Sequence, residues 1–271
     1  MPHLAVNGVN IYYETHGESG EPLVLIHGYT GDITDWRHQL PVFSKTHRVL
    51  VMDHRGHGKS DAPADRACYT IDALADDVEA VVAHAGFERF HLLGHSMGGA
   101  VVQEIALRSP QRLISLTLHD TSYRFAATRS EAVKNWIAAR NLIAARQGMA
   151  AVASLPGITK PPPHMSAERK AEEKERLARM SVDGFLGCGS ALATWEGVKE
   201  RAHQVAAPTL VIYGALDIAL VEASKRLAAT IPNATLVEVP EAGHSPQYER
   251  PELFNAALRA HLERHALAPA K

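Results

Sequence analysis

Cysteine is scarce in this chain, since only Cys68 and Cys188 occur among its 271 residues. Two cysteines are too few for a disulfide framework, and neither stands at a spacing typical of a metal or redox motif. We therefore expect both to be reduced structural thiols. The H-E-x-x-H pattern and comparable ligand sets are also missing from the sequence. The sequence thus predicts neither a metal nor a cofactor.

An excess of charge of one sign is also lacking. The chain has 28 Lys and Arg against 30 Asp and Glu, which gives a formal charge of -2 and a pI of about 6.8. This balance excludes the basic surface typical of nucleic-acid-binding proteins. The expected partner is a small, neutral molecule. The oligomeric state is left open.

Long hydrophobic runs are absent as well. No segment approaches the roughly 20 apolar residues of a membrane-spanning helix. The start at Met1-Pro2-His3-Leu4 lacks the charged region and apolar stretch of a signal peptide. We therefore expect a cytoplasmic protein that does not bind membranes.

What is present is a regular alternation of short apolar runs and helical patterns. Hydrophobic residues make up 46% of the chain, enough for a sizeable core. Asn7-Gly8 predicts a hairpin turn, and apolar residues recur every three or four positions over residues 71–85, which predicts a helix. The predicted strands are 4–6, 9–15, 23–26, 49–52, 90–93, 113–118, 209–214 and 234–239. The fold class is therefore α/β, with a doubly wound, mostly parallel sheet.

The segment 122–205 interrupts this alternation. It predicts helices around 130–146 and 168–180, separated by Pro161-Pro162-Pro163, and no strand. We interpret it as a helical cap inserted between two parts of a core domain, 1–121 and 206–271. The mixed-sign run 169–176 predicts a solvated outer face. The bulky candidates for pocket walls are Phe125, Trp136, Met149, Met165, Phe185 and Trp195.

A serine lies between two glycines directly after a predicted strand, in Gly94-His95-Ser96-Met97-Gly98. This G-x-S-x-G pattern is typical of a sharp strand-to-helix turn that exposes a nucleophilic hydroxyl. Such a serine needs a base and an orienting acid beside it. Ser96 is the predicted nucleophile, and the backbone N–H of Met97 is a predicted donor to the oxyanion.

Two later strands supply the partners. Asp217 follows the strand 209–214, and His244 follows the strand 234–239. The order serine, acid, histidine is the one expected for hydrolases of this architecture. Asp120, which follows the strand 113–118, is an alternative acid. We favour Asp217, because the strand after it leads to His244.

These motifs, together with His27-Gly28-Tyr29 and Asp53-His54-Arg55-Gly56-His57-Gly58-Lys59-Ser60, resemble those of the α/β-hydrolase superfamily over almost the whole chain. Within it, the chain is similar to small bacterial esterases, enol-lactonases, perhydrolases and carbon–carbon bond hydrolases. The resemblance implies that the Tyr29 N–H is the second oxyanion donor. It also implies that His27 and His95 shape their loops.

The loop after His27-Gly28 departs from the H-G-G-G type of many lipases, because Tyr29 and Thr30 stand where two glycines would be. This departure favours a narrower site. For Asp53 and Arg55, the glycine-rich setting predicts a buried ion pair that fixes loops beside the nucleophile.

The expected activity is that of a carboxylesterase: a serine hydrolase that cleaves esters of small to medium acyl groups through an acyl-enzyme. An enol-lactonase or a carbon–carbon bond hydrolase is an alternative with the same triad. A slow-turnover ligand sensor is an alternative of another class. Activity should fall as His244 becomes protonated, on the order of pH 6 to 7.

Overall fold

A computed structural model describes residues 3–125, 131–155 and 166–267. Within these ranges, eight strands form one sheet in the order β1-β2-β4-β3-β5-β6-β7-β8. β1 and β4 each pair antiparallel with β2, and every other neighbouring pair is parallel. The strands are β1 His3–Val6, β2 Val9–His16, β3 Pro22–Ile26, β4 Arg48–Met52, β5 Phe90–His95, β6 Leu113–His119, β7 Thr209–Gly214 and β8 Ala234–Val239.

Helices follow most of the strands and pack on the sheet. The α-helices in the described ranges are α1 Leu40–Phe43, α2 Ile71–His84, α3 Met97–Arg108, α4 Glu131–Gln147, α5 Met149–Ala153, α6 Ala167–Arg179, α7 Val182–Thr194, α8 Val221–Thr230, α9 Pro246–Glu249 and α10 Pro251–Arg264. This confirms the predicted α/β class with a mostly parallel sheet.

The burial of the strands explains their apolar sequences. Every residue of β3, β5, β6 and β7 is buried, as expected for central parallel strands that are covered by helices on both faces. β8 lies at one edge of the sheet and is largely exposed. The hairpin between β1 and β2 also forms as predicted, because Asn7 (φ 49°) and Gly8 (φ 80°) adopt the left-handed conformation of a tight turn.

The helices α4 to α7 lie between β6 and β7 in the chain, where the sequence predicted a cap. They form a small apolar core of their own, composed of Ala144, Met149, Val152, Ala153, Leu177 and Phe185. Phe125 and Trp195 instead pack into the larger core of the sheet, and Trp136 is exposed. Met165 and the three prolines 161–163 lie outside the described residues. The division into core and cap domains stays a prediction.

The charged run 169–176 is not a fully solvated face, and that prediction is wrong for its two ends. Arg169 is buried with 3% of its surface exposed, and its guanidinium lies 3.8 Å from the centre of the Tyr248 ring. Arg176 donates a hydrogen bond to the buried carboxylate of Asp35. The two arginines lie on the side of α6 that faces the sheet, so their long side chains reach acidic partners in the loop after β3.

In the described part of the chain, no helix has the length and apolar character needed to cross a membrane. Cys68 and Cys188 are free thiols, as expected. Cys188 is fully buried, and burial raises the pKa of its thiol, which keeps it protonated and unreactive.

Candidate active site

Ser96 occupies a strained turn between β5 and α3. Its backbone has φ 52° and ψ −113°, and its N–H donates to the carbonyl oxygen of His119 on the neighbouring strand at 2.9 Å. A Cβ on Gly94 would overlap the carbonyl of Gly98, and a Cβ on Gly98 would lie 2.5 Å from the carbonyl oxygen of His27. Both glycines are therefore required for this turn, which lifts the serine above the sheet edge.

The structure brings Ser96, His244 and Asp217 into one hydrogen-bonded line. Nδ1 of His244 lies 2.6 Å from Oδ2 of Asp217, and Nε2 of His244 lies 3.0 Å from Oγ of Ser96. An ionised carboxylate only accepts hydrogen bonds, so Nδ1 carries the proton. Nε2 is then left to accept the serine hydroxyl, which is the tautomer that a general base needs.

The loop that carries His244 is fixed on both sides. The carboxylate of Glu249 accepts hydrogen bonds from the backbone N–H groups of Gly243 at 2.7 Å and Ser245 at 3.1 Å. Nε2 of His95 lies 2.8 Å from the backbone carbonyl oxygen of His244. These contacts fix the backbone on both sides of His244, while 47% of its side chain stays exposed.

Burial and electrostatic interactions have opposite effects on the pKa values of His244 and Asp217. Burial lowers the pKa of His244, but the hydrogen bond and the negative charge of Asp217 outweigh burial and raise that pKa to about 9. Burial likewise raises the pKa of Asp217, and its hydrogen bond to His244 outweighs this and lowers the pKa below its ordinary value. The pair therefore favours an ionised Asp217 that stabilises positive charge on the imidazole.

Asp120, the alternative acid, lies beside Asp217 and is fully buried. Its Oδ1 accepts a hydrogen bond from the Gly214 N–H at 3.1 Å, and its Oδ2 lies 3.0 Å from Nδ1 of the buried His119 ring. Burial raises the pKa of Asp120 well above its ordinary value. Nε2 of His119 donates to the amide oxygen of Gln247 at 2.7 Å, so Nδ1 of the neutral ring has a lone pair that can accept the hydroxyl of a protonated Asp120.

The loop after β3 lies directly against the Ser96 turn. A Cβ on Gly28 would lie 3.0 Å from the Cβ of Ser96, and Thr30 adopts a left-handed conformation with φ 65°. Met97 is the first residue of α3, so its N–H is at the start of the helix beside the serine. That the N–H groups of Tyr29 and Met97 form the oxyanion hole stays a prediction.

The Tyr29 side chain has a different partner. Its phenol donates to the carbonyl oxygen of Phe185 in α7 at 2.6 Å, and the two rings stack with centroids 5.4 Å apart. The same loop residue therefore borders Ser96 with its backbone and contacts the helical segment with its side chain. No pattern in the sequence indicates this second contact.

His27 shapes its loop as the resemblance implied. Its Nε2 accepts from the His54 N–H at 3.0 Å, so its Nδ1 donates to the Gly28 carbonyl at 2.8 Å. Burial holds the pKa of His27 and of His95 well below the usual range, so both rings are neutral. Both rings contact backbone groups of the loops beside Ser96.

The predicted ion pair between Asp53 and Arg55 is wrong. Arg55 instead forms two hydrogen bonds of 2.7 Å to the carboxylate of Asp77 in α2. Asp53 accepts from the backbone N–H groups of Ile33 and Lys59, each at 2.8 Å. Each acid thus fixes a loop near the site, but through a different partner. A signal for Asp77 was present, because an acidic residue stands on the apolar face of a predicted helix.

Two groups of potential metal ligands converge in the described part of the chain. One consists of Asp120, Asp217 and His244, whose ligand atoms lie within 4.8 Å of one another. Those atoms already belong to the hydrogen-bonded line that ends at Ser96. The other group, Glu21, His47 and His91, meets the same distance limit and lies at the opposite edge of the sheet.

Comparisons with known proteins agree with this geometry. A family model described as alpha/beta hydrolase fold matches residues 21–251. One relative is the dihydrolipoyllysine-residue acetyltransferase component of the acetoin cleaving system of Pseudomonas putida, which is 33% identical over 94% of this chain. The chain spans only 66% of the length of that relative. It is 32% identical to the putative carbamate hydrolase RutD of Azorhizobium caulinodans, over 95% of this chain and 97% of that protein.

Among solved structures, the enol-lactonase from Burkholderia xenovorans LB400 superposes with a TM-score of 0.86 at 29% identity. The superposition covers 97% of this chain and all of that one. The similarity therefore includes the helical segment between β6 and β7 as well as the sheet.

Proposed function

The chain belongs to the α/β-hydrolase family, and we propose that it is a serine hydrolase that cleaves carboxylic esters through an acyl-enzyme. The observation that carries the proposal is the line of hydrogen bonds from Ser96 through His244 to Asp217, with distances of 3.0 and 2.6 Å. A serine hydroxyl is a weak nucleophile until an adjacent base takes its proton, and this line supplies that base and its orienting acid.

The proposed reaction has two halves. Oγ of Ser96 attacks the ester carbonyl while Nε2 of His244 takes the hydroxyl proton, and Asp217 stabilises the imidazolium. The tetrahedral intermediate collapses, its bond to the alcohol oxygen breaks, and His244 returns the proton to the leaving alcohol. A water molecule then gives its proton to His244 and attacks the acyl-enzyme, which releases the carboxylic acid and restores Ser96.

Negative charge develops on the carbonyl oxygen in both halves. The backbone N–H groups of Met97 and Tyr29 are the proposed donors to it. In support, the Tyr29 loop is packed against the Ser96 turn through Gly28. A side-chain substitution at either position leaves the N–H in place, so both donors are expected to tolerate every residue except proline.

Lactone hydrolysis is the second candidate activity. A lactone is a cyclic ester, so the same nucleophile, base and oxyanion donors apply. The full-length similarity to the enol-lactonase from Burkholderia xenovorans LB400, at a TM-score of 0.86, favours this candidate over carbon–carbon bond hydrolysis. The side chains of α4 to α7 would then choose between open-chain and cyclic substrates.

A substrate panel tests the proposal. Purified protein is assayed with p-nitrophenyl esters of increasing acyl length, with lactones and with vinylogous diketones, and Ser96→Ala serves as the blank. We expect steady turnover of short-chain esters or lactones, and a loss of roughly 10³-fold or more in the variant. A single burst of product without turnover would favour a ligand sensor. Ester turnover that survives in Ser96→Ala would disprove the proposal.

A further inference from the structure

A second group of reactive side chains lies at the edge of the sheet opposite Ser96. Glu21 directly precedes β3, His47 directly precedes β4, and His91 is the second residue of β5. These three strands are parallel neighbours, with Pro22 paired to Arg48 and Leu23 paired to His91. The register therefore brings the three side chains together at the amino ends of the strands, and one ligand atom of each lies within 4.8 Å of the others.

His47 is oriented by its neighbour in the chain. Its Nδ1 lies 2.9 Å from Oγ1 of Thr46, and that hydroxyl donates to the carbonyl oxygen of Phe43 at 3.4 Å. Because the hydroxyl proton is used in this way, Oγ1 accepts a hydrogen bond from Nδ1 of His47. The other ring nitrogen, Nε2, is left with a lone pair for a ligand.

His91 and Glu21 face each other across a short gap. Nε2 of His91 lies 3.1 Å from Oε2 of Glu21, and the side chains are 1% and 23% exposed. Nδ1 of His91 lies 2.8 Å from the Ser115 hydroxyl, which is able to donate or to accept. When Ser115 donates, Nε2 carries the ring proton and donates a hydrogen bond to Glu21. When Ser115 accepts, Nε2 has a lone pair, and a cation bound by both Nε2 and the carboxylate takes the place of that hydrogen bond.

The second oxygen of the carboxylate is also held, since Oε1 of Glu21 accepts the backbone N–H of Leu267 at 2.6 Å. Each of the three side chains thus uses one polar atom for an orienting hydrogen bond and turns another toward the common centre. Metal-binding sites in proteins have this organisation, because the outer hydrogen bonds fix the tautomer and the direction of each ligand.

We propose that Glu21, His47 and His91 form a binding site for a divalent transition-metal ion, with Zn²⁺ the expected occupant. Two imidazoles and one carboxylate match the ligands of zinc, whereas calcium and magnesium prefer oxygen alone. Ligands at about 2.0–2.2 Å from Zn²⁺ lie roughly 3.4 Å apart, so movements of about 1 Å close the site. Water completes the coordination.

Such an ion would tie the amino ends of three strands to the segment that follows α10, through the Glu21 contact to Leu267. It would bind only where the strands are paired, so it would stabilise the folded state. At a free Zn²⁺ concentration of about a hundred times the dissociation constant, we expect the melting temperature to rise by roughly 5 °C or more.

The experiment measures Zn²⁺ binding to the full chain after treatment with a chelator. Equilibrium dialysis with metal analysis gives the stoichiometry, and competition with a chromophoric chelator gives the affinity. We expect one tightly bound Zn²⁺ per chain. Glu21→Gln and His47→Gln should each weaken binding at least about 100-fold, since the loss of an outer hydrogen bond alone costs 10- to 100-fold. His91→Gln should do the same, and circular dichroism shows whether each variant is folded.

Three controls identify the site among the sixteen histidines. His16→Gln disrupts a similar His–Glu contact, with Glu14 at 2.9 Å, and His265→Gln disrupts the histidine pair with His261 on α10. Asp217→Asn removes a potential ligand near Ser96. None of the three should change the tight binding. The proposal is overturned if the unaltered chain binds no Zn²⁺ tightly, if Glu21→Gln and His47→Gln bind it unchanged, or if a control abolishes the binding.

Discussion

The carboxyl edge of the sheet and the helical segment α4 to α7 are held in place by different kinds of interaction. At the sheet edge, Ser96, Asp217 and His244 follow separate strands, and backbone hydrogen bonds between β5, β6, β7 and β8 set their spacing. The helical segment has its own small core, and side chains of α7, among them Cys188, Ala191 and Leu192, also pack into the core of the sheet.

This difference separates two properties of the molecule. The relative positions of the reactive groups depend on backbone pairing, which tolerates most side-chain changes. The position of the helical segment depends on the packing of α7 side chains into the core of the sheet and on contacts such as Arg176 with Asp35 and Phe185 with Tyr29. Substitutions at the sheet edge should therefore change the chemical step, and substitutions at these contacts should change stability and substrate binding.

The largest expected effect distinguishes the two neighbouring acids at the sheet edge. Asp217→Asn should lower kcat by roughly 10⁴-fold, because an amide favours the wrong tautomer of His244. The melting temperature should change little, since the two side chains have the same size. Ester turnover by purified protein measures the first effect, and thermal unfolding followed by circular dichroism measures the second.

Asp120→Asn is the matched comparison. Burial raises the pKa of the Asp120 carboxyl well above its ordinary value, so a neutral amide of the same size should reduce kcat by less than about tenfold. If Asp120→Asn were the crippling change and Asp217→Asn nearly silent, the assignment of the acid would be wrong.

A second prediction concerns the attachment of the helical segment. Arg176→Gln leaves the 5%-exposed Asp35 with Arg169, at 3.6 Å, as its remaining cation, so the free energy of unfolding should fall by up to about 3 kcal/mol. Arg179→Gln is the control on the same helix, because it removes an ion pair with Glu175 whose side chains are 70% and 66% exposed. That change should cost about 0.5 kcal/mol or less.

Urea denaturation of both variants measures the difference. For Arg176→Gln, KM for the preferred ester should rise while kcat changes little, because Ser96, Asp217 and His244 keep their strand-based spacing. Equal losses of stability in the two variants would show that the contact to Asp35 contributes no more than a surface ion pair.

The two regions also differ in how much of them the sequence predicts. All eight strands and the order Ser96, Asp217, His244 follow from short apolar runs and from the residues at their ends, which are local signals. The partners of Arg55 and Arg176 lie 22 and 141 positions away along the chain. A local pattern shows that such a charge is near a helix face but not which acid it meets, so the predicted partner of Arg55 and the predicted exposure of Arg176 were both wrong.

The third prediction returns to the sheet edge through pH. The general base must be neutral, so kcat/KM should fall tenfold per pH unit below the pKa of His244. Burial lowers that pKa, but the hydrogen bond and charge of Asp217, with smaller contributions from Asp120 and Glu249, raise it overall from 6.5 to about 9. The midpoint should therefore lie closer to 9 than to 6.5, above the range expected from the sequence.

The pH profile of kcat/KM for a neutral ester, which does not itself titrate, measures this midpoint. Asp217→Asn should move it toward lower pH, since the carboxylate that raises the pKa is gone. Full activity that persists well below pH 6.5 would contradict the assignment of His244 as the base.

The smallest effect is expected where the two regions meet, at Tyr29. Tyr29→Phe removes the hydrogen bond of 2.6 Å to the Phe185 carbonyl but keeps the stacked rings and the backbone N–H. Stability should fall by about 1 kcal/mol, and KM should rise up to roughly fivefold as the helical segment loosens. Since the proposed oxyanion donor at position 29 is a backbone group, kcat should stay within about twofold.

Tyr213→Phe is the matched control, because it also removes one phenol hydrogen bond, to Glu238 at 2.7 Å between β7 and β8. It should cost similar stability without changing KM, since neither residue contacts the helical segment. Steady-state kinetics and urea denaturation of both variants make the comparison. A fall in kcat with KM unchanged in Tyr29→Phe would mean that the phenol acts in the chemical step, and the separation between sheet edge and helical segment would not hold at this residue.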